Sequence, residues 1–407
     1  MHALIPTRSR RAWATIAALV LALGLALLLA AGKPARAANG VSMTVNTTAD
    51  AAADLTHCGN PAPTCSLRDA ITIANNDTND VIHLPELPAG SATVYLTTTG
   101  VLPAISAPMT IAGDDPRLVA VDGNNAHSVF VIGSSGPVTI TGITIQNGLA
   151  SIGGGILSRS TALTLGNDII QNNVADNQGG GRGGGVYNLE GTLTVLSTTF
   201  ANNATKQSGA ANLGQGGGIY NVAEGAGATL TLVNDTFSGN SSGQGGAIYT
   251  DQVTGLNNVT ISGNTAVDTP GVAAPASHGG GGIYEAASTR MVTLHNTIVS
   301  KDLSGDCAPT ARFTSTGHNI DGDNTCALTA AGDKPSTDPL LAALAFNAPP
   351  VTPPNGYPNT MAIAQNSPAF NTADGTNCPT ADERGTTRPQ NGACDIGAFE
   401  LVVPAPA

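Results

Sequence analysis

Four sets of residues in this chain have types and spacing that could do chemistry. Asp168 and Asp235 are the acids that recur in register, each directly after an Asn, with Thr198 at the equivalent place between them. A pair of carboxyl groups can cleave a glycosidic bond when they lie ~5 Å apart, or about 6.5–9.5 Å apart with inversion. Two steps of a strand stack would separate Asp168 from Asp235 by roughly 9.6 Å, at the edge of that range. Because each follows an Asn at a turn, the sequence predicts solvated turn residues here. The cysteines fall into close pairs, Cys58 with Cys65, Cys307 with Cys326 and Cys378 with Cys394. None has C-x-x-C spacing, so disulfides are expected in preference to metal ligation, and local pairing is the most economical of those open to them. Asn173, Asn203, Asn240 and Asn264, followed by Asp302, share one repeat position, as do Tyr187, Tyr220, Tyr249 and Tyr284. Stacked amides predict a structural ladder. The tyrosines read either as a packed ladder or as an exposed stripe that stacks on sugars, with packing favoured.

Other groupings are less specific. A lyase acting on uronates needs carboxylates to hold Ca²⁺ and a base beside the substrate. The repeats offer Arg159, Arg182, Lys206, Arg290 and Lys301, none inside an Asp cluster. Asp114, Asp115 and Asp122 with His127, and Gly317-His318-Asn319, form no recognisable site. Asp382, Arg384, Arg388, Asp395 and Glu400 predict a salt-bridged C-terminal cap. Calcium stays open as a cofactor, but the Gly-Gly-x-Gly-x-Asp repeat is missing. No other cofactor is expected, and no G-x-S-x-G nucleophile stands at a strand–helix junction.

The elements that must position these residues follow from a repeat. Segments 138–148, 163–173, 193–203, 230–240, 254–264 and 292–302 each begin apolar-x-apolar, with Thr254 substituting once, and five of the six end in Asn or Asp. The first five lead to a Gly-rich run and an apolar residue, Ile156, Val186, Ile219, Ile248 and Ile283, after 8, 13, 16, 8 and 19 residues. Alternation over three to five residues argues short strands and not helices. A fixed half joined to an elastic half predicts an all-β, right-handed parallel β-helix whose inserts, 148–155, 175–185, 205–218 and 266–282, emerge on one flank. Val138, Leu163, Leu193 and Leu230, with Ile145, Ile170, Phe200, Phe237, Ile261 and Val299, should stack as its core. Before the repeats, Ser66 and Asp69 form a variant capping box ahead of Leu67, Ala70, Ile71 and Ala74, which predicts a short helix closing the first coil.

Residues 1–37 place Arg8, Arg10 and Arg11 before an apolar run and end in Ala35-Arg36-Ala37, the pattern of a cleaved export signal. The remainder carries 11 Lys and Arg, five fewer than the whole chain's 16, against 28 Asp and Glu, hence −17. That balance excludes nucleic acid and anionic lipid as partners and predicts no membrane insertion after signal removal. The only Trp, Trp13, leaves with the signal, so no indole remains to stack on sugars. The expected organisation is a signal peptide at 1–37, a cap and first coils at 38–135, and regular repeats at 136–305. C-terminal coils and a module at 306–400 and a tail at 401–407 complete it.

Cys65-Ser66-Leu67-Arg68-Asp69-Ala70-Ile71 resembles the CSLREA motif near the start of exported bacterial right-handed β-helix proteins, with Asp69 for the usual Glu. That resemblance implies fold and exported location and brings no catalytic residues. Ser9-Arg10-Arg11-Ala12-Trp13 resembles a twin-arginine signal. The Gly-Gly-Ala-Ile and Phe-Ser-Gly-Asn patterns resemble the repeats of chlamydial polymorphic outer-membrane proteins, a family of surface adhesin passengers. The motif order from about 310 to 400, ending Asp382-Glu383-Arg384-Gly385, Arg388-Pro389 and Cys394-Asp395-Ile396-Gly397, is similar to the choice-of-anchor Q module. Together these readings imply a monomeric secreted or bacterial cell-surface protein with a binding, adhesion or structural role, whose partner is an extracellular glycan or a host or neighbour surface protein. The competing expectation is a polysaccharide lyase or glycoside hydrolase working in a groove along the coils.

Overall fold

The computed structural model describes residues 40–403, apart from 52, 55, 57, 59–63, 89, 91, 178–179, 207–212, 226, 270–271, 274–278, 288–291, 311, 352, 354 and 391. The signal expected over 1–37, Arg290 and the last four residues of the tail lie outside the described residues. Strands of two to six residues form sheets of ten, ten, seven and six strands, parallel throughout except where Val272–Ala273 pairs antiparallel with Thr265–Thr269. The one helix among the described residues, α1 (Leu67–Ala74), lies between the first strand, Ser42–Thr44, and the second. The architecture is the right-handed parallel β-helix that the repeat predicts.

Register follows side-chain type. Val138, Leu163, Leu193 and Leu230 are successive partners in the first ten-stranded sheet, continued by Thr254 and Val292. Ile145, Ile170, Phe200, Phe237, Ile261 and Val299 stack in the second, where the rings of Phe200 and Phe237 lie parallel at 4.5 Å. Val186, Ile219, Ile248 and Ile283 stack in the seven-stranded sheet. All of these are buried, so like side chains from three sheets meet along one continuous core. Thr254 enters this core because its hydroxyl finds Gln252 O at 3.1 Å and the Thr250 hydroxyl at 3.0 Å.

The glycine pairs before each Ile or Val are steric. A Cβ on Gly246 would lie 2.3 Å from Gly281 O, and Gly245 sits at φ +64°. The coils approach so closely at this corner that only Gly fits. The inserts leave from the six-stranded sheet and return through bridges joining Ile152, Arg182, Gln215 and Gln244 before the seven-stranded sheet begins. Much of the longer inserts lies outside the described residues.

Helix α1 closes the first coil. Ser66 Oγ accepts from Asp69 N at 3.1 Å, and Asp69 Oδ2 accepts from Ser66 N at 3.1 Å, so the box is closed in both directions. Leu67, Ala70, Ile71 and Ala74 are buried. Arg68 is fastened to Asp50 at 2.7 Å and to Val101 O at 2.8 Å.

Past Lys334–Pro335 no described residue adds a strand to any of the four sheets. The chain instead runs back over the outer face of the second ten-stranded sheet as a strap. Asn296 N–H₂ donates to Asp374 O, Asn258 to Asp395 O, Asn234 to Ala381 O and Asn167 to Asn355 O, at 3.1, 3.1, 2.8 and 2.8 Å. These bonds fall at the same corner of four coils, and the strap doubles back to make them, meeting the coils of Asn167, Asn296, Asn234 and Asn258 in chain order.

Candidate functional site

Two corners of most coils carry inward polar side chains, each preceded by a left-handed residue, although Ile143 and Val259 fill the second corner of their coils with apolar side chains. At the first corner Asn172, Asn202, Gly239 and Gly263 have φ of 56°, 55°, 69° and 74°. That conformation, open to Asn and Gly, turns the next residue inward. Asn173, Asn203, Asn240 and Asn264 are accordingly fully buried. Each Nδ2 donates to the next Oδ1 at 2.9 Å, ending on Asp302. Each Nδ2 also reaches a carbonyl of the preceding coil, those of Ile145, Ile170, Phe200 and Phe237. Every donor and acceptor of these amides is used, which is what burial demands. The ladder has a direction, and its last member only needs to accept, so a carboxylate suffices there. Asp302 Oδ1 takes Asn264 N at 2.6 Å and Asn264 Nδ2 at 2.9 Å.

The second corner holds Asp168, Thr198 and Asp235 and corrects the expectation of solvated turn acids. Asn167, Ser197 and Asn234 take the left-handed positions, at 55°, 50° and 57°, so the residues after them face inward and are fully buried. Asp168 accepts from Ile143 N and Gly166 N, both at 3.0 Å, and Asp235 accepts from Thr198 N at 2.9 Å. Burial pushes both carboxyls well above the usual carboxylate range. They grip backbone amides of the preceding coil and face no solvent, which removes them as a hydrolytic pair. Val259 interrupts the series with an apolar side chain, and Thr297 and Asn319 resume it, Asn319 Oδ1 accepting from Thr297 N at 2.9 Å.

The tyrosines line the outer face of the seven-stranded sheet. Tyr187, Tyr220, Tyr249 and Tyr284 stack with centroids 5.1, 5.0 and 5.4 Å apart. Tyr187 and Tyr220 are buried, packed with Leu189 and Val222, and Arg182 lies over the Tyr220 ring at 5.7 Å. Burial raises the Tyr187 and Tyr220 hydroxyls and takes that of Tyr249 to about 12, so these phenols stay neutral at physiological pH. Of the basic residues, Lys206 pairs with Asp176 and Lys301 with Asp338, both at 2.9 Å. The structure separates Asp114, which pairs with His83, from Asp115, bonded to Arg117, and from Asp122, which accepts from Gln146 and Asn147. His318 donates through Nδ1 to Thr372 O at 2.7 Å.

Cys58–Cys65, Cys307–Cys326 and Cys378–Cys394 are disulfides. The C-terminal acids and arginines form a buried network inside the strap. Arg384 binds Asp382 at 2.6 Å and stacks on Phe399 at 3.6 Å, while Arg388 lies 3.5 Å from Glu400. Burial raises Glu400 to about 7. Glu383, missed in the sequence, points from the strap into the outer face of the second ten-stranded sheet. It meets the hydroxyls of Thr199 and Thr236, fully buried and raised far above its ordinary range by that burial.

A second missed cluster lies where the Asn ladder ends. Asp306 and Asp321 are buried and Asp323 is exposed, and one carboxylate oxygen from each lies within 4.8 Å of the others. Burial and the Asp323 charge raise Asp306 to about 7 and Asp321 to about 6. Asp-Gly-Asp-Asn-Thr at 321–325 was the available sequence signal.

Taken together, fold and corners define a solenoid of the parallel β-helix class with an apolar core edged by buried polar ladders. Residues 236–251 match the Chlamydia polymorphic membrane protein repeat, a repeat of surface, outer-membrane-type proteins. The matched stretch holds Phe237 in its ring stack, Asn240 in its ladder, Gly245 and Gly246 at the tight corner and Ile248 in the core. The likeness therefore rests on residues that set how one coil lies on the next. No curated protein and no solved structure matches the chain. No helix among the described residues is long and apolar enough to cross a membrane.

Proposed function

We propose that the chain is an exported protein of the extracellular space or bacterial cell surface whose coils serve binding, adhesion or structure rather than catalysis. The observation that carries this reading is the enclosure of Asp168 and Asp235, whose oxygens hold coil amides together where a hydrolase would need them facing a substrate. Three disulfides fit an oxidising compartment. We also read residues 65–71 as a CSLREA-type motif. Its Cys forms a disulfide, its Ser caps α1, its Arg binds Asp50 and its Asp completes the capping box, so every polar position has a task in closing the first coil. Residues 310–400 are read as a module similar to choice-of-anchor Q, which supplies the strap.

The partner in this reading is an extracellular glycan or a surface protein, met on the insert flank, because irregular insertions on one side of a solenoid are where recognition is placed. The protein acts as a monomer. Incubation with polyuronates and plant glycans, together with binding arrays of glycans and surface proteins, tests the proposal. Binding without new unsaturated or reducing ends is expected; release of such ends would overturn it.

A further inference from the structure

The acidic cluster at the end of the Asn ladder has the features of a built site. Its residues come from two segments, 302–306 and 321–323, that the Cys307–Cys326 disulfide fastens side by side. Asp306 N donates to Asp323 Oδ2 and Asp323 N to Asp306 Oδ2, both at 3.1 Å, locking the two segments in register. Gly322 permits the approach, since a Cβ there would lie 2.9 Å from Asp306 Oδ2.

The backbone amides leave the charge only partly answered. Asp306 Oδ1 accepts from Asp302 N at 3.1 Å, and Asp323 Oδ1 accepts from Thr325 N at 2.9 Å. Asp321 is 1% exposed, yet neither of its carboxylate oxygens has a partner in hydrogen-bonding geometry. The amides of Asn324, Cys326 and Ala327 point towards it and offset part of the cost of its burial. Asp302 Oδ2, also buried, is likewise unpartnered. Among the described residues no Lys, Arg or His forms an ion pair with Asp302, Asp306, Asp321 or Asp323. Buried carboxylates without a partner cation are costly, and a bound cation removes that cost.

We propose that Asp306, Asp321 and Asp323 form a calcium site that closes the C-terminal end of the Asn ladder. The donors are all oxygen, which suits a hard cation. Oxygens bound to one Ca²⁺ at about 2.3–2.6 Å can lie up to roughly 5 Å apart, and the three here lie within 4.8 Å. Asp323, at the surface, provides the route of entry and leaves room for water to complete the shell.

Calorimetric titration of the chelator-treated mature protein with CaCl₂, paired with thermal unfolding, tests the site. One ion per chain is expected, with a dissociation constant of about 10⁻⁴ M or tighter and an unfolding midpoint that rises with calcium. Asp321→Asn should abolish both effects. Since that buried change can impair folding, Asp323→Asn serves as the second variant, and an affinity loss of at least about tenfold is expected there. Absence of heat and of any midpoint shift up to about 10 mM calcium, an equal response in wild type and Asp323→Asn, or tighter binding of MgCl₂ than of CaCl₂ would each overturn the proposal.

Discussion

Each Asn of the ladder spends its amide on three neighbours at once, and that is why the residue is hard to replace. Asn240 Oδ1 takes both the N–H and the side-chain amide of Asn203, while its Nδ2 serves Phe200 O and Asn264. In Asn240→Ala two buried donors of Asn203 lose their shared acceptor. At ~1–3 kcal/mol for each group left unsatisfied, the variant should lose about 3 kcal/mol or more in chemical denaturation. Thr231→Ala, on the outer face of the same coil, should lose less than about 1 kcal/mol. A loss at Asn240 no larger than that at Thr231 would mean that the ladder does not hold the coils. This ladder is legible in the sequence because one residue type recurs at a fixed offset. Its counterpart at the other corner is not, because Asp168, Thr198, Asp235 and Asn319 do the same job with different side chains. Any oxygen that can accept an amide from the previous coil serves there. The preceding Asn signals a turn in both cases, but its left-handed backbone is what sends the following side chain inward, and that reverses the solvated reading of Asp168 and Asp235.

At the scale of elements, strands and α1 are readable from alternation and capping, whereas the strap is not. It has no strand pattern, and it is held by Asn and Thr side chains reaching its backbone. Asn167, Asn234, Asn258 and Asn296 recur at one repeat position, but a turn already accounts for Asn there, so the recurrence does not announce a partner. The cation cluster is hidden for a related reason, since its two halves are neighbours only after a coil has closed. Glu383 makes the strap's attachment sensitive to pH. It faces Asp235 and Asp382 as well as the two threonines, and burial keeps it protonated far above its ordinary 4.5, as burial does for Asp235 above 3.8. The native chain therefore holds protons that the unfolded chain releases. Its stability is greatest below those ordinary values and falls as pH rises through the window up to the raised ones. Glu400, raised to about 7, adds in the same direction. Asp50, Asp338 and Asp374, whose carboxyls are lowered, act only below that window. His295, lowered by burial, opposes the trend below its ordinary 6.5, one histidine against the several raised carboxyls. The thermal midpoint should be higher at about pH 5 than at about pH 8, and Glu383→Gln should flatten the difference by stabilising the alkaline side. A midpoint that rises towards pH 8, or an unchanged slope in the variant, would contradict this.

Across the whole molecule one arrangement recurs: a coil sits on the next with equal segments in register, and unequal segments are expelled at one corner. The interior ladders, the Gly pairs, the match at 236–251 and the flank proposed for recognition all depend on that register. Cysteine pairs read it directly. Thr194 and Thr231 are partners on the outer face of neighbouring strands, whereas Thr194 and Thr229 are offset by two residues. In-register parallel strands lie about 4.8 Å apart, within the span that a disulfide closes. On mild oxidation of the folded protein, peptide mass spectrometry should find the cross-link in Thr194→Cys/Thr231→Cys and little of it in Thr194→Cys/Thr229→Cys. A cross-link formed preferentially by the offset pair, or by neither, would contradict the stacking on which the rest stands.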